Sequence, residues 1–450
     1  MVSARREDMS RNPTADLLSP LLSSAILPPE PPEPSEERHR GGNQQPFLRI
    51  GVYSLMLPSR SAAALIALVA AGGAPDSDPV LDFAGPPGSG KPFLTRTMSE
   101  GLLASWFEPR DSNRFVLRVA ERRGGRWSTP ATVVERDNFF VNWADFPSVV
   151  ESGGGRWVVH WLEKTAAKSY AYHVRMSVSA DQGKTWTEPA TPHSDRSDTE
   201  HGFATLLPRG DGGADLLWLD GRQAAAGPGQ AAMALAFGTI GSNGQVGPDR
   251  LLDGRVCDCC QTALARTGSG LIAVYRDRTE AEVRDISVTR LVNGAWTDPK
   301  PVAQDGWVYR ACPVNGPSLA AEGSRVAVAW YTEAGGDPRV SLAWSADAGA
   351  AFARPIRVDD GSPIGRSEVE LHPDGSALVI WLERVRDHAE WRVKRVRPDG
   401  RVAGRWTVAA APATRAAGFA RAAVLDGALF VAWTAPEPAG GVRIHRFPIP

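Results

Sequence analysis

The stretch Gly155 to Pro189, GRWVVHWLEKTAAKSYAYHVRMSVSADQGKTWTEP, decides the fold. It leaves a glycine turn at Gly153 to Gly155 and runs as an alternating strand ending in Trp161-Leu162-Glu163. A second strand covers Tyr172 to Ser179, a tight turn carries Ser179, Asp181, Gly183 and Trp186, and a third strand is expected beyond it. Alternating apolar and polar residues give each strand one face for a core.

Working outward, the same unit recurs. The aromatic that closes the strand after each glycine turn is Trp106, Trp161, Trp218, Tyr275, Trp330, Trp381 and Trp433, at intervals of 55, 57, 57, 55, 51 and 52 residues. Five of the seven have an acid two residues on: Glu108, Glu163, Asp220, Asp277 and Glu383. A period of this length built of short strands and turns predicts radial blades rather than a single sandwich. The expected fold is therefore an all-β propeller of four-stranded antiparallel blades around a channel. The blades fall at about 93–134, 142–193, 200–253, 256–305, 312–361, 364–410 and 418–450. The last has only three strands of its own, so Pro79 to Ala84 (PVLDFA) is expected to add the outer strand and close the ring. That makes seven blades, with a six-bladed ring containing one divergent unit as the alternative.

Composition sets further bounds. The chain has 450 residues with 50 basic and 51 acidic side chains, which gives no electrostatic case for a nucleic-acid partner. Residues 1–55, with LPPEPPEPSEERHRGGNQQ, read as a disordered leader. Residues 56–74 combine Arg60 with the apolar run SAAALIALVAAGGA, the pattern of a secretory signal too short to span a bilayer. The expectation is translation from Met56, cleavage near Ala71 or Ala74, and an exported, periplasmic or secreted monomer with no membrane contact after cleavage. A membrane-proximal anchor or unstructured leader is the alternative. Residues 75–91 are a linker and closing strand, and 92–450 the propeller. Within the linker, GPPGSGK at Gly85 to Lys91 imitates a phosphate-binding loop, but Pro92 replaces the metal-binding hydroxyl and no helix pattern follows.

Ser179-Ala180-Asp181-Gln182-Gly183-Lys184-Thr185-Trp186 resembles the Asp-box, the repeated turn of sialidases and related BNR-repeat propellers. A second copy, Ser345 to Phe352, carries phenylalanine in place of tryptophan. The aspartate can cap amides of its own turn and the glycine supplies a positive φ, so the motif speaks for fold before activity. The resemblance implies a three-arginine clamp for a carboxylate, a tyrosine nucleophile assisted by a glutamate, and an aspartate acid/base. The first-blade arginine motif of that family is absent here, the nearest residue being Arg96 in PFLTRT. Of the two tyrosines just ahead of an arginine, Tyr275 sits at the repeated packing position, which leaves Tyr309.

In a propeller the loop leading into each inner strand lies at one rim, where ligands bind. These loops read Asn142-Trp143-Ala144-Asp145, Glu200-His201-Gly202, Cys257-Asp258-Cys259-Cys260-Gln261, Cys312-Pro313-Val314-Asn315, Gly365-Arg366-Ser367-Glu368 and Gly418-Phe419-Ala420-Arg421. All four cysteines fall in two adjacent entrances and are expected to converge. An even count in an exported chain favours disulfides. Alternatives are a thiolate site for copper or zinc, with His201 or Asp258, and a catalytic thiol. Arg276, Asp277 and Arg284 offer an anion clamp or simple ion pairs. The functional expectation is a sialidase-like propeller that binds or hydrolyses a small-molecule or glycan-type anionic ligand at the channel mouth. Asn142, Trp143, His201, Arg276, Asp277, Arg284, Asn315, Arg366 and Arg421 would bind it, and Asp145, Asp258, Tyr309 and Glu368 would supply proton transfer or the nucleophile. The alternative class is a non-catalytic thiol-metal propeller built on Cys257, Cys259, Cys260 and Cys312, or an interaction scaffold.

Overall fold

In a strand, residues i and i+2 share a face, so an acid two positions after a buried tryptophan sits beside its indole N–H. The structure uses this pairing repeatedly. Trp106 donates to Glu108 at 3.0 Å, Trp161 to Glu163 at 2.8 Å, Trp218 to Asp220 at 2.9 Å and Trp381 to Glu383 at 2.5 Å. Where the repeat departs, a neighbouring strand or loop supplies the acceptor: Trp330 uses Asp305 at 2.7 Å, the Tyr275 hydroxyl uses Asp253 at 2.6 Å, and Trp433 uses His445 at 3.0 Å. Asp277 is thus not the partner its spacing suggests. Each of the seven aromatics is buried on the second strand of its blade, where its large apolar area is removed from water without leaving the polar handle unpaired.

The computed structural model describes residues 79–167, 170–223, 232–437 and 440–449. The expected leader and signal segments, 1–55 and 56–74, lie outside the described residues. Seven sheets follow in chain order. The inner strands are Gly90–Arg96, Ser148–Glu151, His201–Pro208, Ala263–Thr267, Ser318–Glu322, Pro363–Leu371 and Arg421–Leu425. Each neighbours the next, and the last neighbours the first, so the ring is closed. The six-bladed alternative is excluded. Lys91, the end of the phosphate-loop imitation, lies in the first inner strand, where no helix N-terminus is available.

The seventh blade is completed from the other end of the chain. Val80–Ala84 pairs antiparallel with Gly441–Pro448, giving the order Val80–Ala84, Gly441–Pro448, Ala428–Ala435, Arg421–Leu425. Asp82 fastens this strand to the first blade. Its carboxylate takes the Arg122 guanidinium at 2.8 Å and the Trp127 indole N–H at 2.7 Å. Phe83 packs on both Trp106 and Trp127 at 5.2 Å.

The two turns that resemble the Asp-box form the same hydrogen-bonded frame. The Ser179 hydroxyl accepts from the Gly183 amide at 2.8 Å and donates to Asp181, whose carboxylate accepts the Thr185 amide at 2.8 Å. Ser345, Asp347, Gly349 and Ala351 repeat the set at 2.7, 2.9 and 2.9 Å. Gly183 has φ +83° and lies against the Trp157 ring, so a side chain would be strained and crowded there. The third strand expected after the first of these turns is missing. Blade 2 has three strands, and its outer edge is one bridge in which Met176 and Ala190 exchange two 2.8 Å bonds. Pro189 and Pro192 flank that bridge and have no N–H to extend a ladder.

Removing the clasp should weaken the ring. Asp82→Ala strands a buried guanidinium and an indole N–H, and should cost about 3 kcal/mol in chemical denaturation. A loss below about 1 kcal/mol would mean that the terminal strand does not fasten the first blade to the last.

Candidate functional site

The inner strands enclose a channel cavity of about 540 Å³ lined by Phe93, Asp145, Thr205, Thr262, Glu368 and Arg421, among others. Two features of the entrance loops fix its character. Gln261 bridges the Ala144 carbonyl at 2.6 Å and the Gly316 amide at 3.1 Å, tying three entrances together. Phe146, Phe203 and Phe419, all buried, pack in one cluster with Trp143 and Phe93. Phe93, Phe146 and Phe203 of this cluster line the channel beside Asp145, Glu368 and Arg421.

The arginines expected to clamp an anion are spent on other partners. Arg276 is buried, stacks 4.8 Å from the Trp307 ring, and donates to the carbonyls of Asn315 at 2.9 Å, Arg284 at 2.5 Å and Tyr331 at 2.6 Å. Arg366 donates to the carbonyls of Gly418 at 3.0 Å and Thr414 at 3.1 Å and lies 4.9 Å over Trp143. Arg421 is bound to Glu368 at 2.5 Å and sits 4.3 Å over Phe146. Glu368 is consequently an ion-pair partner inside the channel. Asn142 caps the Ala144 amide at 2.9 Å, and Asn315 accepts the Arg366 amide at 2.6 Å. The arginines, with Asn142, Asn315 and Glu368, hold the entrance loops in place.

The cysteines do converge. Cys259 and Cys312 form a disulfide between the entrances of blades 4 and 5, with Cα atoms 6.0 Å apart. Cys257 and Cys260 are free and buried, their sulfurs 3.3 Å apart. Burial raises the Cys257 thiol, but its contact with Cys260 and the charges of Arg276 and Arg284 outweigh that and bring it down to about 7. Arg284 reaches the Cys257 sulfur at 3.2 Å and Glu282 at 2.8 Å. Arg278 joins Asp258 at 2.8 Å to Glu282 at 2.9 Å. Asp277 accepts the Ser287 hydroxyl at 3.0 Å, and Tyr309 stacks on Trp307 at 5.2 Å. Tyr309 has no carboxylate partner resembling the expected nucleophile pair.

That pair exists elsewhere, where the sequence reading did not look. The Tyr172 hydroxyl donates to Glu200 Oε1 at 2.7 Å, across blades 2 and 3. Tyr172 is buried and stacked on Phe140 at 3.9 Å, which fixes its ring. Asp145, one of the four residues expected to supply proton transfer or the nucleophile, lies alongside. Its Oδ2 accepts the Phe203 amide at 2.6 Å and lies against Gly202, whose other close neighbour is the Tyr172 ring. A side chain at position 202 would collide with both. Burial drives Asp145 up to about 7, with the Glu200 charge adding to the rise and the Phe203 amide opposing it. Burial likewise lifts Glu200 to about 7, opposed by the Tyr172 hydroxyl. Tyr172 itself is pushed well above its usual value by burial and these two carboxylates, so it keeps its proton. The one available signal was position: Tyr172 begins the third strand of its blade, and the loops before third strands share a rim with the entrances. His201, expected to serve alone or with the cysteines, lies instead with His173 and His193.

No protein-family model and no curated protein matches this chain. Solved structures with a similar fold include a polysaccharide lyase of family PL25, an ulvan lyase, at 9% identity and TM-score 0.52, the match covering 81% of this chain and 95% of that one. The NanB sialidase of Streptococcus pneumoniae matches at 9% identity and TM-score 0.43, over 81% and 93% of the two chains. A protein of unknown function from Dyadobacter fermentans matches at 11% and 0.43, over 83% and 99%. At these identities the likeness is one of fold: the chain is a seven-bladed, all-β propeller, and glycan-processing propellers are among its structural neighbours.

Asp145 makes a pH prediction. Its folded value, about 7, lies above the ordinary 3.8, so the folded state holds the extra proton between these limits. Its contribution to stability is full below about pH 4 and is lost as the pH rises towards 7. Asp145→Asn should flatten this decline, with wild type losing on the order of 3 kcal/mol relative to the variant between pH 4 and 8 in urea denaturation. Parallel profiles would show that Asp145 is ionised throughout.

Proposed function

We propose that the chain is an exported glycan-processing propeller of the sialidase-like type, cleaving its ligand by acid-base chemistry at the rim between blades 2 and 3. The observation that carries the reading is the 2.7 Å bond from Tyr172 to Glu200 with Asp145 alongside. A tyrosine, a glutamate and an aspartate are the residue types that the sialidase resemblance implies, although at positions other than Tyr309 and Glu368. The phenol already points its proton at the carboxylate, which is the alignment general acid-base transfer needs. The ulvan lyase among the neighbours, by its description a polysaccharide lyase, supports a glycan as ligand. The missing arginine clamp favours a glycan bound chiefly through hydroxyls over a sialic acid held by its carboxylate.

A second reading rests on Cys257 and Cys260. Two free sulfurs 3.3 Å apart beside Arg284 form a pair suited to a soft metal such as copper(I), the disulfide of Cys259 having removed the third thiol of the cluster.

Release of reducing ends or unsaturated sugars from a panel of neutral, uronic and sialylated glycans tests the first reading. Tyr172→Phe and Glu200→Gln should each lower kcat/KM by about 100-fold or more on the best substrate. No turnover on the whole panel, or turnover unchanged in both variants, would refute it.

A further inference from the structure

Three histidines from two blades meet at a place the proposed chemistry does not use. His173 lies on Tyr172–Ser179, His193 in the following loop, and His201 opens the inner strand of blade 3. One ring nitrogen from each lies within 4.8 Å of the others. His193 and His201 are 1% and 0% exposed, and His173 is 9% exposed. Three imidazoles buried together are costly unless something engages their nitrogens.

The hydrogen bonds show which nitrogens are free. His193 Nδ1 lies 2.7 Å from the Asp195 carbonyl, which can only accept, so Nδ1 carries the proton and Nε2 presents a lone pair. That Nε2 is buried without a hydrogen-bond partner. His173 Nε2 lies 3.0 Å from the Ser197 carbonyl, so its lone pair is on Nδ1. His201 faces two carboxylates, its Nε2 standing 3.1 Å from Asp195 Oδ2 and 3.7 Å from Asp220 Oδ1. His173 and His193 are each anchored through one nitrogen to a backbone carbonyl, the outer contact that metal-ligating histidines commonly make. Asp220 is already committed to Arg222 at 2.7 Å, whereas the partly exposed Asp195 carboxylate accepts the Ser197 and Thr199 hydroxyls and the Ser197 amide and faces His201.

We propose that His173, His193 and His201, with the Asp195 carboxylate as fourth donor, form a zinc-class divalent metal site joining blade 2 to blade 3. Three imidazoles and a carboxylate suit zinc better than the hard oxygen-seeking cations. His193 and His201 stack in parallel 3.9 Å apart, so binding requires the rings to splay until their in-plane lone pairs converge. The site is distinct from the thiol pair, and its donors come from a loop and two strand ends rather than from one contiguous motif.

The test uses the full chain after chelator treatment. Zinc competition titration should give one ion per chain, and cobalt loading should give visible bands of nitrogen and oxygen ligation without a thiolate charge-transfer band. His193→Phe should weaken zinc at least about 100-fold. The Cys257→Ser, Cys260→Ser double variant should bind it as wild type does, and so should Tyr172→Phe, whatever the outcome of the glycan assay. If His193→Phe fails to fold, the cobalt spectrum of the wild-type chain decides alone. No bound metal, a thiolate band, or loss confined to the cysteine variant would overturn the site.

Discussion

The antiparallel pairing of Val80–Ala84 with Gly441–Pro448 is the constraint on which the rest of the structure depends. A radial array of sheets has two raw edges unless its ends are joined, and an open edge both exposes unpaired amides and lets the blades drift apart. Pairing the first strand with the last converts a chain of neighbour contacts into a circle, and Asp82 then binds that strand to the first blade through Arg122 and Trp127. Groups far apart in sequence become neighbours as a result: Gln261 reaches the loop at Ala144, and Asn315 reaches Arg366.

Much of this architecture was legible because it repeats. The tryptophan and the acid two residues on obey a rule of strand geometry, so the sequence displays blade after blade without a template. Rule and outcome part where the acceptor lies on another element, as for Tyr275 and Asp253 or Trp330 and Asp305, because pairings of that kind leave no fixed spacing. The missing strand of blade 2 has the same lesson: the turn at Ser179 to Trp186 formed, but Pro189 and Pro192 stopped the ladder that should have followed.

The site was legible in part. Convergence of the cysteines followed from ring closure, and Asp145 stood at an entrance. Tyr172 and Glu200 carry no signal of their own in the sequence, the first resembling one more apolar residue of a strand, the second standing beside the histidine of its entrance. The arginines misled for a physical reason: a buried guanidinium has five N–H groups to satisfy, and tight entrance loops offer carbonyls. Arg276 and Arg366 are there to hold turns together, a task indistinguishable in sequence from gripping an anion.

What emerges is a rim with a division of labour. Aromatic side chains pack along the channel, a disulfide joins blades 4 and 5, and the tyrosine-carboxylate group stands between blades 2 and 3. The most direct measurement of the central claim is a double-mutant cycle between Tyr172→Phe and Glu200→Gln, read as kcat/KM on the preferred glycan. If the two side chains act as one unit, the double variant will be no slower than the slower single variant. Losses that simply multiply would contradict the account and leave the 2.7 Å contact a structural bond.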